Sequence, residues 1–189
     1  MARKITKRRE VNNKILIVCG GETERLYLNK FNLELAQISI YAKLDNRNPK
    51  AIVQTAIEMK SKNNYKQVWC IFDRDNFTCF DEAIELGKKN DIRCVYSNQA
   101  YELWYVLHFE RKEGSMDRKK YAEYISKKIG RKYSKTDENM YQTLKSKTNI
   151  AIQNAKIGHQ LKRKDGGKPS SWESCTNMYE LVEELIKWK

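Results

Sequence analysis

The chain has 189 residues, with 37 Lys and Arg against 24 Asp and Glu and a formal net charge of +13. A hydrophobic fraction of 40% is enough to bury a core in one compact domain and excludes disorder of the whole chain. The opening residues are charged and the apolar runs are short, which argues against a secretory leader and against a membrane span; a cytoplasmic protein is expected.

Positive charge is concentrated in one stretch. Residues 117–168 hold 15 Lys/Arg and 5 Asp/Glu, a net of +10, whereas residues 169–189 hold 2 and 4, a net of −2. Such asymmetry is the electrostatic footprint of a polyanion binder, with lysine-rich solvated helix faces as the plainer alternative. The cysteines at 19, 70, 79, 94 and 175 have no CxxC spacing, so reduced core thiols are expected in place of a zinc site.

Residues 15–19, Ile-Leu-Ile-Val-Cys, form a continuous apolar run closed by Gly20 and Gly21. That is the habit of a central strand buried on both faces of a parallel sheet. Residues 23–36 then carry apolar side chains at helical spacing, with Thr23 suited to cap and Glu24 to the first turn. A short strand over 38–44 follows, then a helix with Pro49 as its first residue. Residues 68–72 read as a second buried strand, closed by Asp73-Arg74-Asp75. A helix over 80–88 and a strand over 92–96 complete the alternation, which predicts an α/β fold with a mostly parallel sheet and helices on both faces. Helices are expected over 101–109, 121–129, 140–161 and 177–188, with a charged glycine-containing loop over 162–169. The expected organisation is a basic arm over 1–14, an α/β domain over 15–110, and a basic helical C-terminal extension over 111–189 packed on it.

Ligands of open parallel sheets gather outside the carboxyl ends of the strands, where both suspicious sequences fall. In extended backbone Asp73 and Asp75 point to one side, and two carboxylates so placed repel unless a cation neutralises them. Magnesium favours such hard oxygen ligands and leaves room for phosphate oxygens. A turn or a helix cap is the plainer use of either aspartate. Glu22 or Glu24 is placed to add a further ligand. Asn98 can cap the helix that follows the fourth strand, and Glu102 in that apolar helix needs a partner or water. His108 reads as packing or as a titrating group. Arg74, Lys162, Arg163, Lys164 and Lys168, with the basic positions of 118–135, are candidate phosphate contacts.

Four blocks, ILIVCGGETERLYLNKF, VWCIFDRDNF, SNQAYELWYVLHFE and SCTNMYELVEEL, resemble in order the RloB/AbiLii family of prokaryotic phage-defence and abortive-infection proteins. That family is related to TOPRIM domains, as found in primases, topoisomerases and overcoming-lysogenisation-defect nucleases. The resemblance implies a TOPRIM-type sheet and a nuclease of DNA or of tRNA or other RNA. It also implies Mg²⁺ or Mn²⁺ held by Asp73, Asp75 and Glu24, and an ATPase partner of the ABC or AAA type. Glu22 and Glu102 are further catalytic candidates. The family's first acid, expected directly after Cys19, is replaced here by Gly20. Glu22 is the nearest substitute, and a left-handed turn that only glycine accepts is one reason for the exchange. A nucleic-acid-binding subunit with a degenerate metal pocket, or a protein-interaction module, are the alternatives to an enzyme.

Overall fold

The computed structural model describes residues 13–114 and 116–189. The expected arm over residues 1–14 therefore lies, for residues 1–12, outside the described residues. Strand β1 (Lys14–Cys19) leads into helix α1 (Glu22–Asn32), β2 (Ser39–Leu44), α2 (Pro49–Lys62), β3 (Gln67–Asp73), α3 (Phe80–Lys89) and β4 (Arg93–Asn98). The remainder is α4 (Glu102–Leu107), α5 (Arg118–Ile129), α6 (Met140–Leu144), α7 (Thr148–Asp165), β5 (Cys175–Thr176) and α8 (Met178–Ile186).

The sheet has the order β2-β1-β3-β4-β5, with the first four strands parallel and β5 antiparallel to β4. Strand periodicity divides the core in two. Ile15, Ile17 and Cys19 face one side with Trp69 and Ile71; Leu16 and Val18 face the other with Val68, Cys70 and Phe72. Helix α1 covers the first side through Tyr27, Leu28 and Phe31, together with α4 and α8; α2 and α3 cover the second. Every residue from Ile15 to Cys19 is fully buried. Truncating a side chain such as Ile17 to alanine would cost about 2–5 kcal/mol.

This connectivity positions the site. The chain leaves β1 towards β2 on one side of the sheet and returns past β1 to β3 on the other. The helices that follow β1 and β3 accordingly go to opposite faces and leave a crevice between the two carboxyl ends.

Three local expectations are corrected. Thr23 is not the cap of α1: Gly21 takes that place, and the Thr23 hydroxyl donates instead to the Lys135 carbonyl at 3.1 Å. Asn98 ends β4 rather than capping α4; its amide donates to the carbonyls of Pro169 and Ser170. The helix expected over 140–161 is interrupted by a 3₁₀ turn at Lys145–Lys147 and then runs to Asp165, so Lys162, Arg163 and Lys164 belong to the last turn of α7 and not to a loop. Strand β5 was not expected, because two residues are too few to show a period; Thr176 and Asn177 tie it to β4 through the Tyr96 backbone.

Candidate active site

A cleft of about 220 Å³ opens at the carboxyl ends of β1 and β3, lined among others by Gly20, Glu24, Asp73, Asp75, Glu102 and Lys135. Five carboxylates thus come together from three parts of the sequence: Glu22 and Glu24 in the first turn of α1, Asp73 and Asp75 at the end of β3 and in the turn after it, and Glu102 at the start of α4.

Glu24 is 3% exposed, and its carboxyl folds back towards the start of its own helix, against Gly21. A Cβ at Gly21 would stand 2.5 Å from Glu24 Oε2, so the missing side chain makes room for the acid. Burial pushes the Glu24 carboxyl up to about 7; its own amide and Lys135 oppose the shift, and Glu102 and Asp75 add to it.

Asp73 closes β3, and its Oδ1 is buried without a hydrogen-bond partner. Its carboxyl is held well above the ordinary range by burial first, then by Glu24, Glu102 and Asp75. Asp75 is not a continuation of the strand. Its φ of 42° is left-handed, so the two aspartates reach the cleft through a turn and not through strand alternation. The turn is pinned by three backbone bonds: Arg74 N–H to Ser97 O at 3.0 Å, Asp75 N–H to Gln99 O at 3.3 Å, and Phe77 N–H to Arg74 O at 3.1 Å.

Glu102 opens α4, 3% exposed in an otherwise apolar helix. Its partners come from the loop between α5 and α6: Tyr133 Oη donates to Oε1 at 3.3 Å, and Lys135 Nζ lies 3.1 Å from the same oxygen. The basic stretch was visible in the sequence, but nothing in it singled out Lys135 as the cation that reaches the acids. Arg47 was missed altogether. It lines the cleft from the β2–α2 loop, and the carboxyl of Asp45 orients it through Nε at 2.8 Å and Nη2 at 2.7 Å. Those bonds hold the Asp45 carboxyl down at about 2. A D-x-R pattern following an edge strand is the one signal the sequence offered for it.

The other candidates lie less centrally. Glu22 lines the cleft but is bonded by Arg25, which lowers its pKa. Arg74 does not line the cleft, and its Nε is buried without a partner. Lys162, Arg163, Lys164 and Lys168 are also outside its lining. His108 is fully buried, with Nδ1 2.8 Å from the Trp104 carbonyl and its ring against the Trp104 indole; burial lowers its pKa to about 4. It packs and takes no part in the cleft. Gly20 has no left-handed φ, contrary to one expectation: it extends the sheet, its N–H donating to Ile71 O at 2.8 Å.

The donor chemistry suits a hard divalent cation: carboxylate oxygens, one of them buried and orphaned, in mutual repulsion. Among the described residues, no group of three His, Cys, Asp or Glu side chains is arranged to hold a metal as it stands. A cation would therefore have to draw the carboxylates in by side-chain rotation.

Fold and site together define an α/β protein with an acidic cleft at the topological switch of a mostly parallel sheet. The chain belongs to the RloB-like protein family, whose model matches residues 15–185. No curated protein and no solved structure matches it. No helix among the described residues is long and apolar enough to cross a membrane.

Proposed function

We propose that this chain is a metal-dependent nuclease of the TOPRIM type that acts in phage defence. The observation that carries the reading is the convergence of Glu24, Asp73, Asp75 and Glu102 on one cleft, with Asp73 Oδ1 buried and unpartnered. Maintaining such repulsion in a metal-free site costs stability and is explained by a cation that relieves it. Asp73, Asp75 and Glu24 would hold Mg²⁺ or Mn²⁺, which when bound supplies charge neutralisation and an activated water for phosphodiester hydrolysis.

The protein's own groups do the rest. Glu102, fixed by Tyr133, holds the Lys135 ammonium at the cleft, where it attracts a phosphate and balances charge. Arg47 presents a second cation at the rim. The excess charge of residues 117–168 attracts the polyanion towards this edge. By the family resemblance, a partner ATPase of the ABC or AAA type restrains or triggers the activity.

The test is incubation of the purified protein with DNA and with tRNA in Mg²⁺, Mn²⁺ or EDTA, alone and with the partner ATPase. Metal-dependent cleavage by the parent protein and none by Asp73→Asn supports the reading. Gly20 favours a second one, a binding subunit whose acid cluster is retired, because the first family acid has no side chain here. Salt-sensitive binding with no cleavage on any substrate would establish it.

A further inference from the structure

Phe77 sits at the mouth of the acidic cleft, four residues beyond Asp73. It lines that cleft and also a shallower one beside it, formed with Asp75, Asn76, Gln99 and Lys135. Its side chain is unusually open for phenylalanine, at 39% exposure, whereas Phe31, Phe72 and Phe80 are buried in the core. The backbone beneath it is tied down, since Phe77 N–H is bonded to Arg74 O and the amides of Arg74 and Asp75 are bonded to the carbonyls of Ser97 and Gln99. An apolar ring on this bonded turn, part-exposed at the cleft mouth among carboxylates and amides, leaves an apolar face open to a ligand.

Across the cleft, Arg47 is equally fixed. Asp45 takes Nε and Nη2, and Thr55 Oγ1 accepts from Nη2 at 2.7 Å, while the side chain keeps 62% of its surface exposed. A guanidinium oriented from behind and open in front suits one phosphate.

We propose that Phe77 is a stacking platform for an unpaired nucleotide base and that Arg47 takes a neighbouring phosphate, so that the cleft is a single-strand subsite. The inference rests on the nuclease reading for its substrate class and deepens it. A paired base keeps its faces covered by its neighbours, so an exposed ring at the mouth selects strands whose bases are free. Stacking does not discriminate among bases, so the subsite is tolerant of sequence.

The experiment separates the two readings by measuring binding without cleavage. Short fluorescein-labelled oligonucleotides are titrated by anisotropy in EDTA: single-stranded DNA, single-stranded RNA, the duplex of the same sequence, and an abasic phosphate backbone of equal length. The proteins are the parent chain, Phe77→Ala, Phe77→Trp, Arg47→Ala and Arg47→Lys. Phe77→Ala should weaken single-strand binding about tenfold, Phe77→Trp should restore it, and neither should change binding of the duplex or the abasic strand. The DNA and RNA arms show which strand the subsite takes. Arg47→Ala should weaken both single-stranded and abasic ligands and lower the salt slope by about one, with Arg47→Lys intermediate. Equal affinity of Phe77→Ala and parent for both single strands overturns the proposal, as does an equal loss on the abasic backbone. Cleavage without dependence on Phe77 removes the subsite and leaves the nuclease; binding that depends on Phe77 without cleavage on any substrate keeps the subsite and removes the nuclease.

Discussion

Glu24 occupies the space that a side chain at residue 21 would need: a Cβ on Gly21 would lie 2.5 Å from Glu24 Oε2. Gly21 itself is in extended backbone, with φ −141° and ψ 163°, a conformation open to any residue. The glycine is therefore explained by the acid and not by the turn. Gly21→Ala should fold with a melting temperature close to the parent's, because the displaced atom is the end of a flexible side chain. It should still lose metal-dependent activity on the order of a hundredfold, the cost of moving a reacting group by about 1 Å. A folded Gly21→Ala protein with full activity would remove Glu24 from the mechanism.

Asp73 and Asp75 should respond differently in stability and alike in function. Asp73→Asn removes a buried carboxyl that three neighbouring acids oppose, so the metal-free protein should melt higher. Asp75 has a left-handed φ of 42°, which asparagine accepts almost as readily as aspartate. Asp75→Asn should thus leave the backbone unstrained, whereas Asp75→Ala should cost about 1 kcal/mol of stability in backbone strain and melt lower than Asp75→Asn. Both asparagine variants should abolish metal-dependent cleavage and any toxicity on expression in cells. Retention of full activity in both would reduce the pair to a turn.

The parts of this site that were legible in the sequence are those that a single strand and its exit turn contain. The runs over 15–19 and 68–72 are apolar on both faces because the strands are covered on both faces, and they are neighbours because the chain passes from β2 back over β1 to β3. Glu102 was legible as an acid in an apolar helix. Lys135 and Arg47 were not, because their roles depend on loops whose paths are set by tertiary contacts: Thr23 Oγ1 binds the Lys135 carbonyl from across the cleft, and Asp45 and Thr55 orient Arg47. The basic residues of 162–168 stand apart from the cleft. Their density was conspicuous, yet they lie outside the cleft lining, since charge density marks a surface and does not place it.

The raised acids predict an inverted pH response in the metal-free protein. Glu24 in the fold keeps its proton to about pH 7, against 4.5 for the free side chain. Between those values the native state binds more protons than the unfolded state, so stability falls as pH rises. The contribution is full below about 4.5 and gone above about 7, and its size is on the order of 3 kcal/mol. Asp73, shifted in the same direction, adds to the loss. In EDTA the parent should therefore lose more stability in denaturant between pH 5 and pH 8 than Glu24→Gln does. Metal binding must displace these protons, so the stabilisation given by added Mg²⁺ should grow over the same interval. A parent and a Glu24→Gln variant with parallel pH profiles would show that Glu24 titrates normally.

The last prediction concerns the acid that Gly20 lacks. Glu22 is nearest in sequence, but it lies one turn out, about a third exposed and bonded by Arg25, and its carboxyl is kept ionised by that bond. Glu102 is buried, lines the cleft and acts on Asp73 and Glu24 electrostatically. Position therefore favours Glu102 for the missing work. Glu22→Gln should keep cleavage within a few-fold, while Glu102→Gln should lose it as completely as Asp73→Asn. Gly20→Glu tests the same point from the other side. Its backbone is not left-handed, and an added Cβ would meet Ile52 Cδ1 and Ile71 O at 3.2 Å, a tight fit that a shift of a few tenths of an ångström relieves. The variant should fold. If Glu102 already serves, a further carboxylate crowds the cleft and activity should fall or stay level, with a lower metal-free melting temperature. Activity gained by Gly20→Glu on a parent that shows none would instead mean that the cleft is complete except for this one acid. That gain would move the parent protein to the binding-subunit reading.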